Sequence, residues 1–317
     1  MTSAAHQHVV WSDEVDAIIR GDPTAAAAYG TPAGGAVVTG VAPCGLDRRD
    51  DGAVGFTTSL GFGKKLEHIG RDPRVALAYH AREHGYASSP RFVLVQGRAV
   101  VDLEPSRTRL EAFVPQVEQF LGPVKRGPGW DWLLREYYAD RVFVDVVVER
   151  IIAWPDLSGS GDPEVFGAPL PGPASVQPPP ARGRGPRIDL AKSAGQMSVL
   201  PHRVLAYRGA DGFPVVVPVD LGGHGNDGLS LVTPPGLLPP GGRRAGLLAH
   251  AYRPQLVGLA TRTFTGWLEV AGDGRAVYAP HTSKGFVAPP NKHLLLVVNG
   301  LFAKAGSRRA RRTSPSM

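Results

Sequence analysis

Thr57-Thr58-Ser59, then Gly61 and Gly63, then Lys64-Lys65 ahead of Asp72-Pro73, put hydroxyls, flexible backbone and two ammonium groups into one short stretch. The threonines read as a strand end, the glycines as a turn and the lysines as the start of a short helix that Asp72-Pro73 must stop. Hydroxyls, ammonium groups and the free N–H groups of a helix start, meeting at one spot, suit a phosphate. At roughly 1.5–3 kcal/mol for each charge-assisted hydrogen bond, three or four would hold a phosphorylated cofactor. The spacing is not a Walker-type loop, which needs a glycine five residues before Gly63 where Thr58 stands, nor is it a dinucleotide glycine fingerprint. On residue types alone, a solvated lysine pair on a surface helix accounts for the stretch equally well.

Other candidates are weaker. His80 and His250 occupy equivalent strand ends, but neither has the neighbouring His or carboxylate that a metal needs, so no metal site is expected and a structural or cofactor-wall role is favoured. His84, His202, His281 and His293 are scattered and suggest no Ser/His/Asp arrangement. Arg71, Arg74 and Arg91 could bind substrate anions or serve as surface charges beside strands. Trp130 and Trp132, flanking Asp131, read as a packed helix start. Cys44, the single cysteine, can form no intramolecular disulfide and reads as a small packed residue rather than a nucleophile, which suits a reducing, cytoplasmic setting. No catalytic residue is assigned.

The elements that must position these groups are mostly strands, in short Val, Ile, Leu, Phe and Thr runs bounded by Gly, Pro, Asp and Asn. The first half predicts strands at Ala36–Val41, Gly52–Thr58, Val75–His80, Phe92–Asp102 and Val142–Trp154, with helices at Asp13–Gly21, Lys64–Gly70 and Pro105–Leu121. Between Pro155 and Met197 the chain turns to Pro, Gly, Ser and Arg with no hydrophobic period, the composition of a linker. Strands resume at Val199–Tyr207, Phe213–Val219, Leu229–Thr233, Ala245–Ala251, Phe264–Val270 and Leu294–Ala303. The expected division is therefore 1–154, 155–197 as linker, 198–305, and a disordered basic tail over 306–317. Much of the +7 formal charge lies in Arg182–Arg187 and Ser307–Arg312, and no aromatic-interleaved basic motif accompanies it, so nucleic-acid binding is disfavoured. No signal-like start or long apolar run supports secretion or a membrane span.

The chain also repeats itself. Ala28-Tyr29, Gly34, Val37-Val38 and Val41 match Ala206-Tyr207, Gly212, Val215-Val216 and Val219 at one offset of 178. Gly55–Thr58 corresponds weakly to Ser230–Thr233, Arg74–Ala81 to Arg244–Ala251, and Gly97 to Gly266. Where the first half carries the lysine helix, the second has Pro234-Pro235-Gly236-Leu237-Leu238-Pro239-Pro240, whose prolines forbid a regular helix.

Gly55–Ser59, Lys64-Lys65-Leu66 with Ile69, Arg71–Leu77, Val95–Val100 and the closing Arg141–Trp154 segment resemble the core signature of the pyridoxamine 5′-phosphate oxidase-like split-barrel proteins, a group that includes deazaflavin-dependent and flavin reductases. The resemblance implies a mainly β chain with a few helices, built as two tandem split β-barrel domains that form a pseudo-dimer within one chain, with further homodimerisation left open. It implies that Thr57, Thr58, Ser59, Lys64 and Lys65 hold the phosphate of FMN or, alternatively, the deazaflavin coenzyme F(420), while Val38 and Thr39 supply backbone along the ring. Haem is a third option. Phe92 stands where pyridoxamine phosphate oxidases carry a ring-contacting glutamine, which argues against that specific reaction. One phosphate helix implies one site per chain, with Arg262, Trp267 and the Pro280–Lys284 loop as candidate walls from the second barrel. The expected function is an oxidoreductase acting on a small organic molecule; the alternative is a non-catalytic flavin- or haem-binding protein.

Overall fold

A computed structural model of the chain describes residues 8–123, 127 and 141–291. The expected strand at Leu294–Ala303, the 306–317 tail, Trp130, Trp132 and His293 lie outside them. The chain enters through helix α1 (Asp13–Gly21), whose Ser12 hydroxyl accepts from the Val15 N–H and whose Val15, Ile18 and Ile19 are buried. Strands β1 (Ala25–Gly30), β2 (Ala36–Val41), β3 (Asp47–Arg48) and β4 (Ala53–Ser59) follow, then helix α2 (Gly63–Arg71), strands β5 (Arg74–Tyr79) and β6 (Phe92–Asp102), helix α3 (Arg107–Leu121) and strands β7 (Arg141–Trp154) and β8 (Glu164–Gly167). They form one antiparallel sheet in the order β2-β1-β5-β6-β7-β4-β3, with β8 on the edge of β7. The sheet curls around a core that includes Trp11, Phe56, Tyr79 and Val144.

The second half repeats the plan. Helix α4 (Leu190–Ser198) leads into β9 (His202–Arg208), β10 (Pro214–Pro218), β11 (Asp220–Gly225), β12 (Gly228–Val232), β13 (Gly241–Ala251), β14 (Ala260–Val270) and β15 (Ala276–Val287). Their order, β10-β9-β13-β14-β15-β12-β11, is the first sheet's order strand for strand. The architecture is mainly β: two split β-barrels in tandem. The repeated glycines now have a reason. β6 slips register between Gln96 and Gly97, β14 between Thr265 and Gly266, and a Cβ on either glycine would lie 2.2 Å from the partner strand's carbonyl oxygen, of Val147 or Ala279.

The structure departs from the sequence reading in several places, and strands β1, β3, β11 and β15 are all missing from that reading. β1 is absent from the reading because four alanines have poor strand propensity. Here small size is what the site needs: Ala25 and Ala27 face the first core, while Ala26 and Ala28 pack toward the second barrel. The segment 155–197 carries both β8 and α4, so it is not linker throughout. α4 stands in the second barrel where α1 stands in the first, and is capped alike, the Asp189 carboxylate accepting from the Lys192 N–H. Gln177 straps the stretch between them to both barrels, through the Gly242 and Gly34 carbonyls. Finally, His281–Lys284 is not a loop: it lies in β15, paired with β14.

A third apolar cluster joins the barrels, with Ala28, Val38, Phe92, Leu94 and Trp154 meeting Val204, Ala206, Val216 and Leu248. A buried polar tie runs beside it: the Arg150 guanidinium donates to Gln96 Oε1 and to Asp211, and Gln96 Nε2 donates to the Pro214 carbonyl at 2.7 Å.

Candidate functional site

Strand alternation sorts the predicted hydroxyls. Val54 and Phe56 of β4 face the first core, so Thr58 shares their side and is buried, while Thr57 and Ser59 face the other way. Thr57 Oγ1 accepts from the Arg141 guanidinium at 2.9 Å, diagonally across the β4–β7 pair. Arg141 escaped sequence reasoning because it is only the first residue of a strand. Ser59 Oγ accepts from the Gly61 N–H at 3.2 Å and so turns the chain into a one-turn 3-10 segment, Leu60–Phe62. α2 then begins at Gly63 with no side chain capping its N-terminus and open space where a Gly63 Cβ would be. Its first-turn N–H groups therefore point outward without a protein acceptor from a capping side chain.

The lysine pair is split by the helix. Lys64 is exposed, whereas Lys65 is buried, with its ammonium 5.2 Å from the Phe62 ring centroid and 6.0 Å from that of Phe56. Among the described residues Lys65 has no carboxylate partner, and burial pushes its pKa down to about 8. A buried cation beside an uncapped helix start is a fitting cradle for an anion.

On β2 only part of the expected surface is free. Val38 is fully buried in the inter-barrel cluster, and Gly246 of β13 sits directly on that backbone; a Cβ there would be 2.6 Å from the Ala36 oxygen and 3.2 Å from the Val38 nitrogen. Beyond it, the space at Gly40 is open, and Thr39 Oγ1 is buried without a hydrogen-bond partner. The second barrel thus covers Val38 and leaves Thr39–Gly40.

Several candidates are already occupied. Arg71 pairs with Glu67, Arg74 with Asp72, and Arg91 with Glu14 and Glu164, so these arginines are committed to ion pairs. Trp267 is buried and donates to Glu269 at 2.8 Å, which removes it as a cofactor wall. Arg262 lies across Gly285, where only glycine leaves room for its guanidinium. Phe92 packs edge-on against Trp154 in the inter-barrel cluster. Cys44 is buried, which pushes its thiol up to about 11.

His80 and His250 meet across the barrels, Nε2 to Nε2 at 2.6 Å. His80 Nδ1 donates to the Ala78 carbonyl, so its Nε2 accepts the proton that His250 Nε2 carries. His250 Nδ1 is left buried without a partner. His202, paired with Glu83, and Tyr252, stacked on His250, complete the cluster. Among the described residues no group of three or more His, Cys, Asp or Glu side chains is arranged to hold a metal ion, and no helix is long and apolar enough to cross a membrane.

No family model matches the chain, and no curated protein matches it. Solved structures do. A conserved hypothetical protein of Mycobacterium tuberculosis is 21% identical, with a TM-score of 0.35 over 54% of this chain and 98% of its own. An F(420) reductase is 17% identical, with a TM-score of 0.32 over 43% of this chain and 94% of its own. A Clostridium acetobutylicum protein of the pyridoxinephosphate oxidase family is 9% identical, with a TM-score of 0.33 over 49% of this chain and 92% of its own. Each neighbour is spanned almost whole by about half of this chain.

Proposed function

We propose that the chain binds one flavin-type cofactor, FMN or the deazaflavin coenzyme F(420), at the start of α2, and that it is an oxidoreductase acting on a small organic molecule. The observation that carries this reading is Lys65, a buried ammonium without a carboxylate partner among the described residues, beside an uncapped helix N-terminus. In it, the α2 N–H groups and Lys65 hold the phosphate, Lys64 adds charge from the exposed side, and Thr57, Ser59 and Arg141 line the flank. Thr39 offers its unpartnered hydroxyl along β2, and the Val38–Gly246 contact keeps water from that edge. The cofactor, when bound, would supply the hydride chemistry, and the protein would supply orientation and electrostatics.

The second barrel repeats the strand but not the cradle. β12 ends at Val232 and the chain continues through Pro234–Pro240, with Leu238 buried in the core where a helix would otherwise begin. This supports one site per chain, with the second barrel acting as the partner that a dimer would otherwise provide.

Spectral titration of the purified chain with FMN, the deazaflavin and haem tests the reading. One equivalent of FMN or deazaflavin bound, weakened about 10- to 100-fold in Lys65→Met, is expected. Two equivalents per chain would overturn the single site, and binding of neither would remove the cofactor. Reduction of the bound cofactor by NAD(P)H separates an oxidoreductase from a binding protein.

A further inference from the structure

Alternation along β2 turns Ala36, Val38 and Gly40 away from the first core and toward the second barrel. Ala36 and Val38 are buried in the inter-barrel cluster with Leu248, and Ala42, further along, lines a cavity with Phe286. Between these contacts the barrels part: a Cβ on Gly40 would meet nothing within 4 Å. The strand register identifies what faces this gap. Phe264 of β14 belongs to the second core, so Thr261, Thr263 and Thr265 face out of it. Thr265 is paired with Gly246, which lies on the Val38 backbone, and Thr261 is paired with Phe286, beside Ala42. Thr263 and its β15 partner Lys284 stand between those two fixed points. The Thr265 and Thr282 hydroxyls bond each other at 2.6 Å. The Lys284 ammonium is exposed and has no hydrogen-bond or ion-pair partner among the described residues, and no carboxylate shares this face.

We propose that this face of the β14–β15 ribbon is the second barrel's wall of the cofactor site, and that Lys284 favours the reduced cofactor by opposing negative charge on its polar pyrimidinedione edge. The proposal rests on the cofactor reading above. The gap lies beside the α2 cradle, because Ala42 is bridged to Thr57 on the cradle's flank. A ring anchored there by its phosphate therefore meets a wall of hydroxyls and one ammonium rather than an apolar one, which suits its heteroatom edge. A hydride from NAD(P)H carries two electrons and one proton to FMN, oxidises the donor to NAD(P)+ and leaves one negative charge on the ring. An ammonium close to that edge stabilises the reduced form more than the neutral oxidised form. FMN and the deazaflavin share the edge, so the role of Lys284 is the same for either.

The test compares the dissociation constants of oxidised FMN and of FMN reduced anaerobically with dithionite, both on the full chain, and reads the midpoint potential of the bound cofactor against an indicator dye. Lys284→Met is expected to lose about tenfold of the preference for the reduced form, which lowers the potential by about 30 mV. Lys284→Arg should restore it. Lys65→Met, whose phosphate partner carries the same charge in both forms, should weaken FMN and leave the potential where it is. A potential unmoved in Lys284→Met, or equal weakening of both forms, would overturn the role of Lys284 while FMN bound through Lys65 would keep the cofactor reading. If only the deazaflavin binds, the ratio of its oxidised and reduced forms serves instead, with the same tenfold loss expected. A native chain that binds neither cofactor would overturn both readings.

Discussion

Lys64 and Lys65 are neighbours in the chain but differ in environment, and this makes their roles separable. Lys65 carries its charge at a desolvation cost that a bound phosphate would relieve, so its folded pKa of about 8 should rise on binding. Binding above pH 8 must then take up a proton, and FMN affinity should fall by about tenfold per pH unit beyond that point. Calorimetry in buffers of different ionisation enthalpy would register the uptake. Lys65→Met should weaken FMN by about 10- to 100-fold, the worth of one charge-assisted hydrogen bond, without lowering the melting temperature, because it removes a buried charge that has no carboxylate partner. Lys64→Ala, on the exposed face, should change affinity only a few-fold.

At the scale of elements, the two barrels obey one set of local constraints. The β6 and β14 bulges bring a partner carbonyl against Gly97 and Gly266, where a Cβ has no room. Gly97→Ala and Gly266→Ala should each cost about 1–3 kcal/mol in urea unfolding, whereas Gly40→Ala, which points into open space, should be close to neutral in stability. The caps of α1 and α4 repeat as well: Ser12→Ala and Asp189→Ala should each cost about 1 kcal/mol. The connections differ: α2 stands in one barrel where a proline-rich loop stands in the other, and α3 joins β6 to β7 where a short turn joins β14 to β15; in the proposed reading the first of these differences leaves one anion cradle per chain.

For the whole molecule, the His80–His250 bond is a pH-sensitive join between the barrels. Burial lowers the pKa of His80 to about 3, and burial with two neighbouring histidines pushes His250 well below its usual value. His202, Glu83, Tyr252 and Arg82 surround the pair. Both histidines are neutral in the folded state, and in the unfolded chain they take up protons below about pH 6.5. Stability is therefore full above that pH and should fall by about 1.4 kcal/mol for each pH unit below it and each histidine. Urea midpoints between pH 5 and 7.5 should show this slope, and His80→Leu combined with His250→Leu should flatten it. A slope unchanged in the double variant would place the acid sensitivity elsewhere.

The residues by themselves determined the local grammar: strands β2 and β6 and helix α1 to the residue, the anion-suited stretch from Thr57 to Lys65, the repeated unit and the missing second helix. Those features are written in periods of two and 3.6, in caps and in prolines, all of which act within a few residues. Tertiary structure decided the rest. β1 is a strand because two sheets must approach closely enough to admit only alanine. α4 is a helix although its nine residues show a faint apolar stripe, because Ser193, Ala194 and Met197 find a barrel to cover. Packing alone sank Lys65 and left Lys64 in water, committed three arginines to carboxylates, and laid Gly246 over Val38. It also joined His80 to a histidine 170 residues away and closed a cavity from residues of both barrels. Burial and the meeting of distant side chains depend on what lies across the interface, and no local pattern encodes that.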